Sequence, residues 1–283
     1  MERVTLLAPP KLNLRLLVGP LAADGYHPVR TLMVALDGPA DVVRVSHAAG
    51  RVVRCPGVDG PGNLAWAAID ALERETGRSL PAEVVIEKAI PSRAGLGGGS
   101  SDAAATLVGV DRLHDLRLGV DALERVAARV GSDVPFFVRG GARWGEGRGE
   151  RLTAGTTPPF AAVLLRRDPG LATPEVYRAF DRLPPPRPPA GPGDAPGSFE
   201  GLAAWVRNDL WPPAFALRPA LGRTVRALAA AGAGPVLLCG SGSCVAGFAP
   251  DVDAARRIAA AIPGDGFRAV VTPAAGGVRI VAD

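Results

Sequence analysis

Pro91-Ser92-Arg93-Ala94-Gly95-Leu96-Gly97-Gly98-Gly99-Ser100-Ser101-Asp102 decides how the rest of the chain reads. Without Cβ atoms, Gly95, Gly97, Gly98 and Gly99 let the backbone turn tightly and let a ligand approach its N–H groups. The Ala-rich run behind Asp102 is a strong helix former, with Ser100 or Ser101 as its expected cap. A glycine loop opening a helix whose first N–H groups are unpaired is an anion site, and phosphate is the expected anion. Upstream, Ala82 to Lys88 reads as a strand, so the order is strand, glycine loop, helix.

Two common nucleotide loops do not fit. A P-loop ends in Gly-Lys-Ser/Thr, whereas Gly99 is followed by Ser100 and Ser101 with no lysine. A dinucleotide fingerprint would place a third glycine where Ser100 stands. A flexible Gly/Ser linker has a similar composition, but the helix directly behind the loop argues against it.

The whole chain sets wider bounds. At 283 residues and 47% hydrophobic, it can bury a sizeable core in two modest domains or one large one. No apolar run reaches membrane-spanning length, and the N-terminal residues lack the series of a signal peptide, so a cytoplasmic protein without a membrane partner is expected. Cys55, Cys239 and Cys244 make no disulfide framework, and His27, His47 and His114 all lie far from the Cys239/Cys244 pair, so no metal site is expected. A net charge of +4 with scattered arginines and few aromatics suits an acidic small substrate better than nucleic acid. Of 32 basic residues only Lys11 and Lys88 are lysine. Either these two survive by chance or a compact ammonium is needed there.

Outward from the loop, two short strands flank Pro9-Pro10. Alternation puts Leu12, Leu14 and Leu16 on one face and Lys11, Asn13 and Arg15 on the other. Asp24-Gly25-Tyr26-His27 is a turn. Two strands between Asp41 and Cys55 precede a helix capped by Asn63 and closed by Gly77, with Leu64, Ala68, Ala71 and Leu72 on its apolar face. A helix from Asp121 to Arg129 leads to Gly131-Ser132-Asp133-Val134-Pro135, where an exposed turn carboxylate is the plain reading of Asp133. A hairpin at 140–147 closes a first domain, 1–157. A second, 158–283, opens on the buried-type strand at Phe160 to Leu165. In it Thr173 should cap a helix carrying Tyr177, Pro184 to Gly197 should be a surface loop, and Pro235 to Phe248 should be two strands around a glycine turn. Strands and helices so mixed suggest an α/β sandwich.

The order Ala8-Pro9-Pro10-Lys11, then Pro91 to Ala104, then the glycine turn near Gly240 resembles the three motifs of the GHMP small-molecule kinases. Pro10 departs from the usual alanine but leaves the lysine in place. Asp24-Gly25-Tyr26-His27, Tyr177 and Asn208-Asp209-Leu210 are similar to one branch of that family, which acts on a cytidine-diphosphate-linked methylerythritol in the non-mevalonate isoprenoid route. The resemblance implies an α+β, two-domain fold: an N-terminal ribosomal-protein-like domain with a left-handed βαβ unit, a C-terminal ferredoxin-like domain, and the site in the cleft. It implies ATP as co-substrate, with Mg²⁺, on residues 91–101. It puts Lys11 at the reacting phosphate, Asp133 at the attacking hydroxyl, Asn13 and Thr173 on the substrate, and cytosine between Tyr26 and Tyr177 with a hydrogen bond to His27. A monomer or weak homodimer is expected. Three other readings stay open from sequence: a homoserine or mevalonate kinase of the same family, an RNA-binding module, and a catalytically silent sensor.

Overall fold

In the computed structural model, residues 3–184 and 195–281 are described; the expected loop at Pro184 to Gly197 lies largely outside them. Strands β1 (Arg3–Ala8) and β2 (Lys11–Val18) break at Pro9-Pro10, where no N–H is available to a ladder. β3 (Val29–Asp37), β4 (Asp41–His47) and β5 (Val52–Arg54) follow. Then come α1 (Leu64–Thr76), β6 (Ala82–Glu87), α2 (Gly98–Leu113), α3 (Gly119–Ala127) and α4 (Val134–Arg139). The hairpin β7 (Ala142–Glu146) and β8 (Arg151–Ala154) precedes β9 (Ala161–Arg166), α5 (Thr173–Phe180), α6 (Phe199–Trp205) and β10 (Arg207–Asn208). The chain ends in α7 (Trp211–Leu217), α8 (Leu221–Ala230), β11 (Val236–Leu238), β12 (Val245–Ala249), α9 (Val252–Ala261), β13 (Phe267–Pro273) and β14 (Arg279–Val281).

One sheet has the order β14-β1-β4-β6-β5; the other runs β10-β2-β3-β13-β9-β12-β11, with β7 on β3 and β8 on β7. The α+β class is as expected. Strands from beyond residue 158 enter both sheets: β14 pairs with β1, β13 with β3 and β10 with β2. Among the described residues no helix is long and apolar enough to cross a membrane.

Among the described residues, three apolar clusters hold this arrangement. The first sheet gives Leu6, Val43, Val45 and Val84 to a core completed by the small residues of α1 and α2 and by Phe136 and Phe137 of α4. Alanine and glycine on α2 permit close approach: a Cβ on Gly109 would stand 2.6 Å from Val45 Cγ2. The second sheet divides its side chains between one cluster with Leu12, Leu32 and Leu164 and another with Val163, Val176 and Leu228.

Several local expectations are corrected. β2 is bulged: Asn13 opposes Met33 and Arg15 opposes Leu32, which makes Leu14 the extra residue. Beyond it the faces exchange. Leu16 packs with Val18 and Val29, away from Leu12 and Leu14, and the Arg15 guanidinium lies over the Trp205 ring. Lys11 and Asn13, ahead of the bulge, still point the same way. Helix α2 starts at Gly98 with Gly97 as its cap at φ 74°, so Ser100 and Ser101 sit inside the first turn and cap nothing. On α1, Asn63 caps by accepting from Ala65 N and Gly77 ends the helix at φ 65°, as read, but Leu64 is exposed and Ile69 takes the buried place. Thr173 is the first residue of α5 without a capping bond; its hydroxyl lies 2.9 Å from Ser241 Oγ instead.

Candidate active site

The segments brought together by the two sheets enclose a cavity of about 890 Å³. Lys11, Asn13, Tyr26, His27, Asp133, Thr173, Tyr177 and the loop from Pro91 to Ser100 all line it. Ser101 does not: it is fully buried, with its hydroxyl oxygen unpartnered.

The glycine loop is tied down on both sides. Lys11 N donates to Leu96 O at 3.0 Å, and Cys244 N to Ala94 O at 3.1 Å. Gly95 has φ 78°, and a Cβ there would fall 1.7 Å from Cys239 O, so only glycine lets the two glycine loops touch. Further along the loop, Gly99 has open space where a Cβ would point. Gly98, Gly99 and Ser100, which open α2, line the cavity, and a helix start there suits phosphate oxygens.

At the middle of the cavity, buried Lys11 donates from Nζ to Asn13 Oδ1, while Asn13 Nδ2 donates to Thr31 Oγ1 at 2.8 Å. Lys11 Nζ is 3.5 Å from Asp133 Oδ2. Asp133 stands at the start of α4 yet makes no capping bond, which leaves its carboxylate to the cavity.

Lys88 lies behind the loop, between Asp41 and Asp102. Its Nζ donates to Asp41 and, at 2.6 Å, to Asp102 Oδ2. Asp41 also accepts from Ala89 N and Ile90 N at 2.6 and 2.8 Å. Burial alone would lower the Lys88 ammonium, but the charges of Asp102 and Asp41 beside it more than reverse this and hold it above the ordinary lysine range. Burial pushes the Asp102 carboxyl up to about 7, against the pull of Lys88 and with the help of Asp41. Among the described residues the Asp102 Oδ1 has no hydrogen-bond partner. Lys88 thus belongs to a buried ion cluster at the root of the helix.

Both tyrosines of the chain line the other end. Tyr26 is half exposed, with the Arg148 guanidinium 3.6 Å above its ring centre and paired to Asp24 at 3.0 Å. Burial, and to a lesser extent Asp133, pushes the Tyr177 phenol well up. The His27 ring centre is 5.4 Å from that of Tyr177. Its Nδ1 lies 2.8 Å from Gly19 O, which makes Nδ1 a donor. Nε2 is 2.9 Å from Asp181 Oδ1 but out of line for a hydrogen bond, and it has no other partner.

The GHMP kinases N terminal domain matches residues 63–141 and the GHMP kinases C terminal domain residues 195–268. A 4-diphosphocytidyl-2-C-methyl-D-erythritol kinase of Rhodococcus jostii is 42% identical over 99% of this chain and 96% of its own. The chain belongs to the GHMP kinases. A relative of the same name from an Anaeromyxobacter species is 44% identical over 93% of this chain and 86% of its own. A crystal structure of 4-(cytidine 5'-diphospho)-2C-methyl-D-erythritol kinase superposes with a TM-score of 0.77 at 35% identity, covering 95% of this chain and 99% of that one. Homoserine kinase from Cytophaga hutchinsonii reaches 0.76 at 15% identity, over 99% of this chain and 98% of that one, and shares the fold alone.

As a GHMP kinase the chain has cavity walls that its sequence did not announce. Cys55, Pro56, Val58 and Leu64 form an apolar wall beside the start of α2, and Asp102, Arg178 and Asp181 also line the space. Asn208, a weak signal in the sequence, is an internal strut: its Nδ2 donates to Leu238 O and Gly240 O at 2.8 and 2.7 Å, and its Oδ1 accepts from Leu210 N. Asp209 accepts from Val18 N at 3.0 Å. Together they tie β2 to the second glycine loop.

Proposed function

We propose that this kinase transfers the γ-phosphoryl group of ATP to the 2-hydroxyl of 4-diphosphocytidyl-2-C-methyl-D-erythritol, giving the 2-phosphate and ADP in the cytoplasm. The observation that carries the reading is the Lys11/Asp133 pair, set between the glycine cradle and the Tyr26/His27/Tyr177 group in one cavity. Phosphoryl transfer asks a protein for position and for compensation of oxygen charge. The cradle at the start of α2 holds the ATP phosphates, and the apolar wall from Cys55 to Leu64 takes the base. Lys11, aimed by Asn13, meets the negative charge of the transferring group. Asp133 orients the attacking hydroxyl and takes its proton as the oxygen bonds to phosphorus and the bond to ADP breaks.

Mg²⁺ would enter with the nucleotide. Among the described residues no three His, Cys, Asp or Glu side chains gather into a metal site, and an ion held by triphosphate oxygens and water fits such a site without a protein cage. Bound there, it offsets phosphate charge.

At the other end, cytosine lies between Tyr26 and Tyr177. Its hydrogen-bonding edge meets His27 Nε2 and Asp181 Oδ1, which stand 2.9 Å apart. The deciding assay couples ADP release to turnover with ATP and Mg²⁺. Substrates are the cytidylyl compound, the same sugar phosphate without cytidine, mevalonate and homoserine. Turnover confined to the first supports the reading; turnover with another alcohol keeps the Lys11/Asp133 chemistry and discards the substrate.

A further inference from the structure

We propose that the Arg93 side chain binds the diphosphate of the acceptor substrate, separately from the loop backbone that holds ATP; the inference rests on the cytidylyl reading above. Arg93 has φ 54°, in the left-handed region that only glycine enters without cost. Among the described residues, two other non-glycine residues share this sign, Asp115 and Arg117. They lie outside the cavity and bond to each other at 2.8 Å. Arg93 alone of the three lines the cavity.

Its backbone is held there from two sides. Ser243 N donates to Arg93 O at 3.3 Å, and Gly170 makes room for the side chain, since a Cβ on Gly170 would stand 2.4 Å from Arg93 Cβ. A residue kept in an unfavourable conformation by its surroundings points to function. Among the described residues the guanidinium has no hydrogen-bond or ion-pair partner, whereas Arg148 on the same cavity is paired to Asp24.

Position selects the ligand. Gly170 leads into α5, which carries Thr173 and Tyr177, and Ser243 follows Ser241, the contact of Thr173. Arg93 therefore stands on the α5 side of the glycine loop, away from Lys88 and the root of α2. A cytidine diphosphate whose base is at Tyr177 and whose sugar reaches Lys11 and Asp133 must carry its two phosphates past this point. A planar, permanently charged fork matches such oxygens with paired charge-assisted hydrogen bonds.

The test is calorimetric binding of cytidine and of CDP to the wild type, Arg93→Gln and Arg93→Gly, with steady-state kinetics on each. The wild type should prefer CDP. Both variants should bind cytidine as the wild type does but lose about tenfold or more on CDP, the scale of a hydrogen bond to a charged group. KM for the acceptor should rise in step while KM for ATP stays put. Arg93→Gly should melt no lower than the wild type, because glycine accepts this φ freely, so the loss cannot be misfolding. Equal CDP affinity in wild type and variants, or a rise confined to KM for ATP, would overturn the assignment. A wild type that binds neither cytidine nor CDP overturns the cytidylyl reading itself, and the Arg93 assignment with it.

Discussion

Lys11 Nζ and Asp133 Oδ2 stand 3.5 Å apart, one carried by β2 and the other by the turn into α4. Among the described residues neither group forms an ion pair with any other, and the space in front of them is the cavity. Asp133→Asn keeps the shape and removes the proton acceptor. Turnover should fall by about 10²- to 10⁴-fold, the usual scale for a general base. The melting temperature should hold, because Asp133 caps nothing and is about one-third exposed. Near-normal turnover by the folded variant would take Asp133 out of the mechanism.

Lys11→Arg keeps the charge and should still be severely impaired. A Cβ placed on Gly97 would lie 3.2 Å from Lys11 Cε and 2.7 Å from the Phe137 ring, so the lysine stem runs between close walls. A guanidinium is broader than an ammonium and cannot take the same path. Steady-state kinetics on a variant with unchanged melting is the check, and retention of most activity would refute the steric argument.

Tyr26→Ala and Tyr177→Ala should each weaken acceptor binding by about 1–3 kcal/mol, the scale of one base on one aromatic ring. The two should differ in stability. Tyr177 packs against the cluster of Val176 and Phe180, so its loss should also lower the melting temperature, whereas half-exposed Tyr26 should be silent there. An acceptor KM unchanged in both would reject the clamp.

The loop and the lysine were legible in the sequence because each rests on local chemistry, whereas Asp133 reads there as an exposed turn carboxylate and only the family resemblance gave it a role. Four glycines before an Ala-rich run mark a phosphate cradle, and alternation in β2 was enough to join Lys11 to Asn13. The bulge at Leu14 was not legible, since one extra residue leaves no compositional trace. β3 escaped as well: Leu32 to Leu36 is apolar without alternation, the pattern of a strand buried on both faces. Scarcity singled out Lys88, but its partners stand 47 and 14 positions away, and only the pairing of β4 with β6 brings Asp41 to it. The Cys55 to Leu64 wall depends on the same kind of long-range packing. Domain matches and relatives supplied the substrate branch that short motifs could only suggest.

The buried cluster of Lys88, Asp41 and Asp102 should also write itself into the pH dependence of stability. Asp102 has an ordinary value of 3.8 when solvated, and burial pushes it up to about 7 in the folded chain. Between those values the folded state holds a proton that the unfolded state has released. Stability must then fall as pH rises through that window. Asp102→Asn has nearly the same shape and cannot ionise, so it mimics the protonated form at every pH. Thermal melts of the two proteins from about pH 4 to about pH 8 should show the variant gaining on the wild type as the pH climbs. A constant difference across the range would mean that Asp102 is ionised in the fold at its ordinary value, and that Lys88 holds two full negative charges rather than one.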